Sequence, residues 1–465
     1  MNRDDIYFGT IEQQDSFFLS ICSDAKRAYS FFLAGTTPYG KTWVANNHVN
    51  LRVALDAYHH SEKPEINLRM VSSLMDSTRL IDAVRIPKHT DFLNDPTTAA
   101  AFLREQLMAG KAVVCELDMF ELPHNEYTGK EHEPHRTLLY GMNPADDTVC
   151  LFALVSQNRH TFSNFEMPLE KVSRALTAEC CMDTSDLQVC TLNNLPEYRL
   201  DPELIATQLR YFLSGQDINA QLELFFDRVP DEILNRSLRN TYTSEQFVFG
   251  LDCYTWLAKR LRKMDHYLPL LTSLQSIREH FQCALLRISE LNNAGFLPES
   301  AAEELNNGYS ELLATTKIIQ MMNIKYKFQL AEPGRHMPDL LYRIADQLEQ
   351  IAETEKHLTL QLLACLTEAS DTAPNCTRSN ERPCKASVPA AEKTIQAAYQ
   401  DYVPSRYNLL QPVDDRVVAV NTLCGSFLSL NPDGEAATWL RKGLKNVPKN
   451  PMADRLIERG YFVRS

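Results

Sequence analysis

The sequence predicts an α+β protein with an all-α middle domain and a small C-terminal module. Three observations predict this class. Residues 1–200 contain short apolar runs separated by turn residues, residues 201–366 follow a helical period almost throughout, and residues 394–465 combine strand-like and helix-like segments. Residues 367–393 contain three prolines and almost no large apolar side chain. Such a segment buries too little surface to offset its ordering entropy, so we expect a flexible linker there.

Composition and charge exclude several classes of protein. The 465 residues are 44% hydrophobic and 23% charged, as in ordinary globular proteins. The net charge of −13 argues against nucleic-acid and anionic-membrane partners. We expect no membrane span and no export signal, because no apolar run is long enough for a span and the first residues are polar. The twelve cysteines contain no Cys-x-x-Cys pair, so we expect reduced thiols, a cytoplasmic location and no cofactor.

The α+β region contains one clear helix–strand unit followed by a hairpin. Asp95 and Pro96 are typical of the start of a helix, and Gly110 is placed to end it. The apolar run Ala112–Asp118 predicts a buried strand. Residues 136–141 and 148–154 predict two antiparallel strands joined by a turn at residues 143–147.

The middle region predicts a bundle of amphipathic helices. One helix begins at Asp201-Pro202, a longer one runs from Pro269 to Gly295, and a third begins at Pro338. Apolar residues recur at steps of three and four along each helix, so each presents one stripe that must be buried. No paired Glu-x-x-His metal site occurs among these helices.

The C-terminal region predicts a different small unit. Residues 416–422 and 426–430 flank a tight turn at Cys424-Gly425 and predict a hairpin. Two short helices are expected near residues 435–444 and 451–459, and a last strand at 460–463. This order of elements predicts a winged-helix-like module. Its nearly balanced charge argues against DNA as the partner.

The densest cluster of ionisable side chains follows the Ala112–Asp118 strand. Its members are Asp118, Glu121, His124, Tyr127, Glu131, His132, Glu133 and His135. Three interpretations stay open: a histidine at the start of the next strand acts as general base for a thiol or hydroxyl, three histidines with a carboxylate bind zinc, or the loop is polar and solvated. The zinc set would be His124, His132 and His135; we do not adopt it, because no helix fixes their rings on one face.

These residues resemble a known family. The run from Gly110 to Asp118 and the following Leu-Pro-His and Leu-Leu-Tyr-Gly segments resemble the N-terminal domain of butirosin biosynthesis protein H and its relatives. The same resemblance extends to residues 162–171, 198–202 and 209–214. The resemblance covers roughly residues 40–215. It implies a papain-like fold, a role in natural-product assembly and, in the namesake, acyl transfer from a carrier protein to an amine. It also implies that His135 would activate a cysteine.

The sequence departs from that family pattern at two places. Residues 39–48, where the family logic places the nucleophile, contain no cysteine and no serine, and the strand after His135 lacks an orienting aspartate. Cys115 and Cys22 are the candidate substitutes, but the apolar run around Cys115 favours a buried, inert thiol, and Cys22 precedes the expected segment and would need an unusual layout to reach the site. We therefore predict a degenerate, non-catalytic domain that binds its substrate; the alternative is an active acyltransferase or peptidase-like enzyme that uses His135 as base. The candidate substrate contacts are Asp118, His124, Tyr127, His132 and Asn47.

The C-terminal region carries a second resemblance. Residues 405–408, 420–427 and 456–463 are similar to the segment that precedes the barrel of radical SAM peptide maturases, and to domains that bind leader peptides. The resemblance implies that an extended peptide would pair with an exposed edge of the hairpin. The implied partners are a precursor peptide or carrier protein, with a radical SAM maturase as a further candidate.

Overall fold

The computed structural model describes most of the first 372 residues and part of the C-terminal region. The described residues are 16–20, 25–54, 67–70, 78–86, 95–123, 125, 127–156, 161–182, 187–196, 198–216, 247–263, 270–330, 338–372, 402–404, 408–413, 416–421, 426–430, 435–442 and 462–464. The helices are α1 Ser16–Leu19, α2 Ala25–Gly35, α3 Gly40–Asn47, α4 Pro96–Met108, α5 Leu169–Leu176, α6 Glu179–Met182, α7 Pro202–Ser214, α8 Asp252–Leu261, α9 Leu271–Asn293, α10 Glu299–Leu330, α11 Pro338–Thr372 and α12 Glu435–Lys442.

The described strands belong to four sheets. They are β1 Leu51–Ala54, β2 Asn67–Met70, β3 Ile81–Ile86, β4 Ala112–Asp118, β5 Pro134–Asn143, β6 Thr148–Ser156, β7 Thr161–Pro168, β8 Leu187–Leu192, β9 Phe247–Phe249, β10 Tyr402–Pro404, β11 Asn408–Val413, β12 Arg416–Asn421, β13 Ser426–Leu430 and β14 Phe462–Arg464. The main sheet has six antiparallel strands in the order β3-β8-β4-β5-β6-β7. A three-stranded sheet has the order β2-β1-β9. The expected α+β class is confirmed.

Local sequence signals account for the helix–strand unit. The Asp95 carboxylate accepts a hydrogen bond from the Thr98 amide at 3.0 Å, and Pro96 occupies the first helical position of α4. Gly110 follows the helix with a φ of 71°, a left-handed conformation that favours glycine. The predicted strand Ala112–Asp118 is β4, and the two predicted strands of the hairpin are β5 and β6, paired through antiparallel hydrogen bonds.

The main sheet separates two layers of apolar side chains. Alternate residues of a strand face opposite sides, and on one side Val113, Cys115, Leu117 and Leu139 pack with apolar residues of α4 and α5. On the other side Val114, Leu138 and Phe152 belong to a larger cluster that also contains Phe31 of α2, Trp43 of α3 and the buried stripes of α9 to α11. The sheet is therefore covered on both faces.

The larger cluster runs through both regions that the sequence divides at residue 200. Arg287 on α9 donates hydrogen bonds to the backbone carbonyls of Ala45 at 2.9 Å and His48 at 2.6 Å. Arg27 on α2 forms a fully buried ion pair with Glu279 on α9 at 3.2 Å. The sequence boundary at residue 200 thus does not separate two hydrophobic cores.

The remaining expectations concern the second half of the chain. The predicted helices after Asp201, Pro269 and Pro338 are α7, α9 and α11. Helix α11 continues to Thr372, so the first residues of the predicted linker are helical; residues 373–400 lie outside the described residues. Within the part of the chain that the structure describes, no helix is both long and apolar enough to cross a membrane.

In the described part of the C-terminal region, the structure has two small sheets and one helix. Strands β12 and β13 form the predicted hairpin, β11 adds a third strand to it, and β10 pairs with β14. The first predicted helix is α12, whereas the second, near residues 451–459, lies outside the described residues. The winged-helix arrangement stays a prediction.

Candidate functional site

The loop between β4 and β5 is held at both ends by Asp118. The Asp118 side chain is 1% exposed. Its Oδ1 accepts hydrogen bonds from the backbone amides of Phe120 at 3.1 Å and Glu133 at 3.2 Å. The Met119 amide also donates to the Glu133 carbonyl at 2.8 Å. Asp118 therefore fixes the start and the end of the loop against each other and leaves its second oxygen, Oδ2, for other contacts.

The second carboxylate oxygen of Asp118, Oδ2, contacts the imidazole of His132. Its Nδ1 lies 2.5 Å from Asp118 Oδ2. The imidazole stacks on the ring of Phe120, with centroids 4.4 Å apart and planes inclined by 17°. The ring is thus oriented on two sides, although 65% of the side chain is exposed. The structure brings together two of the predicted contact residues, Asp118 and His132.

Cys180 completes a cluster that the sequence analysis does not predict. It lies in the short helix α6, half-buried, and its Sγ, one imidazole nitrogen of His132 and one carboxylate oxygen of Asp118 all lie within 4.8 Å of one another. Desolvation, and then the charge of the Asp118 carboxylate, raise the pKa of the Cys180 thiol. The thiol is therefore protonated at neutral pH and is not an activated nucleophile by itself.

Tyr127 lies farther along the same loop. Its ring packs against the apolar layer of α4 and α5, and its backbone amide donates to Asn125 Oδ1 at 2.8 Å. Asn125 also donates from its side-chain amide to the carbonyls of Met119 at 3.1 Å and Leu122 at 2.7 Å. Asn125 is a loop-organising residue that the sequence analysis missed. His124, a predicted contact residue, lies outside the described residues.

His135 lies near the start of β5, opposite Leu117 of β4. Residues directly opposite in an antiparallel pair face the same side of the sheet. His135 therefore shares the face covered by α4 and α5, the face to which Leu117 contributes. The same register places Cys115 opposite Thr137, so Cys115 and His135 are diagonal neighbours on one face.

The protonation state of His135 follows from its contacts. Its Nδ1 lies 3.0 Å from the backbone carbonyl of Arg136. Because a carbonyl oxygen only accepts, Nδ1 carries the proton and Nε2 is the basic nitrogen. Desolvation lowers the pKa of His135, against the opposing effects of that hydrogen bond and of the Glu116 and Glu133 carboxylates. The ring is neutral at pH 7.

We expect His135 to titrate below the ordinary histidine value of 6.5, because burial disfavours its charged form. The measurement is an NMR titration of the imidazole resonances, with the His135 signal assigned by its loss in His135→Gln. A midpoint at or above 6.5 would contradict this burial.

Within the described ranges, no nucleophile contacts the His135 ring. Among the described residues, no thiol or hydroxyl hydrogen-bonds to either ring nitrogen, and the nearby Thr137 hydroxyl donates to the backbone carbonyl of His135 at 3.3 Å. Cys115 is 1% exposed and belongs to the apolar layer of α4 and α5. Cys115 therefore has the environment of a core residue, as buried free cysteines commonly do.

Helix α3 is the segment where the family logic places a nucleophile. It packs mainly against α9, α2 and α7, and its Trp43 belongs to the larger cluster, on the opposite side of the sheet from His135. Asn47 is 3% exposed, and its side-chain amide donates to the carbonyl of Trp43 at 2.9 Å and to the Tyr198 hydroxyl at 3.0 Å. Asn47 is thus committed to contacts within the fold.

These features define an antiparallel α+β domain with a polar strand–loop–strand site and a neutral histidine at the start of the second strand. Residues 53–152, which run from β1 to β6 and include this site, match the family model described as butirosin biosynthesis protein H, N-terminal. The match covers less than a quarter of the chain. No curated protein matches the chain.

Proposed function

We propose that this protein is an accessory factor of peptide or other natural-product biosynthesis, and that its N-terminal domain binds a precursor peptide or carrier-bound substrate without forming a covalent intermediate. The match of residues 53–152 to the butirosin biosynthesis protein H family supports the pathway class. The hydrogen bond of the His135 ring supports binding without a covalent intermediate. Within the described ranges, the ring contacts the backbone carbonyl of Arg136 and no thiol or hydroxyl. A papain-like mechanism needs a nucleophile on that imidazole.

The C-terminal sheet offers a way to bind an extended peptide. Its strand order is β11-β12-β13, so within the described residues β11 and β13 are outer strands with one edge not paired in that sheet. A peptide can add to such an edge through main-chain hydrogen bonds. The proposal assigns peptide capture to this region and substrate contact to Asp118, His132, Tyr127 and His135 of the N-terminal domain.

A second candidate is acyl transfer or peptide cleavage through Cys115 and His135. The observation that favours it is the register of β4 and β5, which makes these two residues diagonal neighbours on one face. In that reaction Nε2 of His135 would take the Cys115 thiol proton, and the sulfur would attack the substrate carbonyl to form a thioester.

Binding assays with the full chain test the first candidate. The probes are tagged versions of any short peptide or carrier protein that is found encoded beside this gene, each used in a pull-down. We expect at least one probe to be retained by the wild-type chain and by His357→Ala, an exposed histidine of α11, and to be lost when residues 401–465 are deleted. Retention by the truncated chain would reject peptide capture by the C-terminal region.

Intact-protein mass spectrometry separates the two candidates. After incubation with the acyl-loaded carrier protein, we expect no covalent adduct on the wild-type chain. An acyl adduct that forms on the wild-type chain and is absent from Cys115→Ser and His135→Ala would reject the non-covalent mode and establish the second candidate.

A further inference from the structure

Three side chains with metal-binding atoms converge at the end of β4. Asp118 is the last residue of β4, His132 closes the following loop, and Cys180 comes from α6. One ligand atom from each lies within 4.8 Å of the other two. A carboxylate, an imidazole and a thiol are the ligand types that zinc takes in proteins. The set differs from the three histidines considered in the sequence, because only His132 is common to both.

The carboxylate of this cluster is held in place before any ion arrives. Two backbone amides, those of Phe120 and Glu133, bind Asp118 Oδ1, so that Oδ2 points to His132. Outer hydrogen bonds of this kind orient ligating carboxylates in metal sites. The stacking of His132 on Phe120 fixes the second ligand in the same way.

The charge balance of Asp118 also points to a cation. The carboxylate is 1% exposed, and in the described part of the chain no lysine or arginine pairs with it; its side-chain partners are an imidazole and a thiol. Buried charges in proteins are usually paired with an opposite charge or coordinate a metal. Because 65% of the His132 side chain is exposed, solvent and dissolved ions reach this ligand directly.

We propose that Asp118, His132 and Cys180 bind one zinc ion through a carboxylate oxygen, an imidazole nitrogen and a thiolate sulfur, with water or a substrate group in the fourth position. As the zinc–sulfur bond forms, the Cys180 thiol proton passes to solvent. Thiolate and imidazole ligands select zinc over magnesium and calcium, which prefer oxygen ligands. The zinc site shares Asp118 and His132 with the proposed substrate contacts, but metal binding is measured with the ion alone, so its outcome does not depend on whether a substrate binds.

Cobalt substitution tests the site directly. The purified full chain is stripped with a chelator, dialysed and titrated with Co²⁺ alone, and Zn²⁺ is then added as competitor. We expect a thiolate-to-cobalt charge-transfer absorption that zinc displaces. In Cys180→Ser this absorption should be lost, and in His132→Ala the affinity for Co²⁺ should fall by at least about 100-fold, since even supporting residues of metal sites contribute roughly 10–100-fold.

Two matched variants control for the loss of a thiol or an imidazole elsewhere. Cys365→Ser and His357→Ala, both on α11, should keep the wild-type absorption and affinity. Circular dichroism of each variant verifies folding, and the exposed His132 provides a variant that leaves the core intact. Wild-type absorption in Cys180→Ser, or a wild-type chain that takes up neither Co²⁺ nor Zn²⁺, would overturn the proposal.

Discussion

A fragment that ends at residue 200 is expected to lose cooperative folding. The larger apolar cluster joins α2 and α3 to α9, α10 and α11, so the fragment would expose side chains such as Phe31 and Trp43 that are fully buried in the whole chain. Full burial of one large apolar side chain contributes about 1.5–3 kcal/mol, and the loss of several exceeds the usual stability of a domain, about 5–15 kcal/mol. Thermal unfolding followed by circular dichroism measures the outcome.

A second fragment provides the matched control. A chain that ends at residue 372 keeps every element of the larger cluster and omits the C-terminal region, so we expect it to unfold in one cooperative transition. If the fragment 1–200 is monomeric and shows a cooperative transition of its own, the shared core is not required and residues 1–200 form an independent domain.

The substitution Glu279→Gln is expected to lower the free energy of unfolding by about 3–5 kcal/mol. Glu279 and Arg27 are both fully buried, and their ion pair links α9 to α2. Removing one charge leaves the other in the core without its counter-charge, and that desolvated charge is the source of the cost. Urea denaturation gives the change, provided the slope of the transition is unaltered.

A surface pair shows what the same substitution costs without burial. Arg174 donates a hydrogen bond to Glu170 on α5 at 2.9 Å, and the two side chains are 44% and 81% exposed, so Glu170→Gln should change stability by less than about 0.5 kcal/mol. The double variant Arg27→Met with Glu279→Leu removes both buried charges and should recover much of the loss. Equal effects of Glu279→Gln and Glu170→Gln would mean that the buried pair does not hold α2 and α9 together.

The elements that the sequence predicts well are those with signals inside the element. Asp95, Pro96 and Gly110 mark both ends of α4, and the turn after β5 separates two strands of clear apolar character. Apolar stripes likewise predict α9 and α11. An apolar stripe shows that one face of a helix is buried, but it does not show which element packs against that face. For this reason the sequence suggests a separate helical domain, whereas in the structure these helices share one apolar cluster with α2 and α3.

The cluster of Asp118, His132 and Cys180 is predictable only in part, because a local pattern does not show which elements pack together. Asp118, His132 and His135 are close in sequence and attract attention as a cluster of ionisable groups. Cys180 joins Asp118 through the packing of α6 beside β4, which no local pattern encodes. In the same way, Asn47 is a polar residue of the type that often contacts ligands. In the fold, however, its side-chain amide donates hydrogen bonds to the Trp43 carbonyl and the Tyr198 hydroxyl.

The shared core has a consequence for synthesis on the ribosome. The Arg287 hydrogen bonds that close the core join residues separated by 242 and 239 positions along the chain. Translation adds roughly 5–20 residues per second, so about 10–50 seconds pass between the synthesis of α2 and α3 and the synthesis of α9, the helix against which they pack. During that interval their apolar faces are open to wrong contacts, so the yield of native protein in a cell should depend on chaperone capacity more than its final stability would suggest.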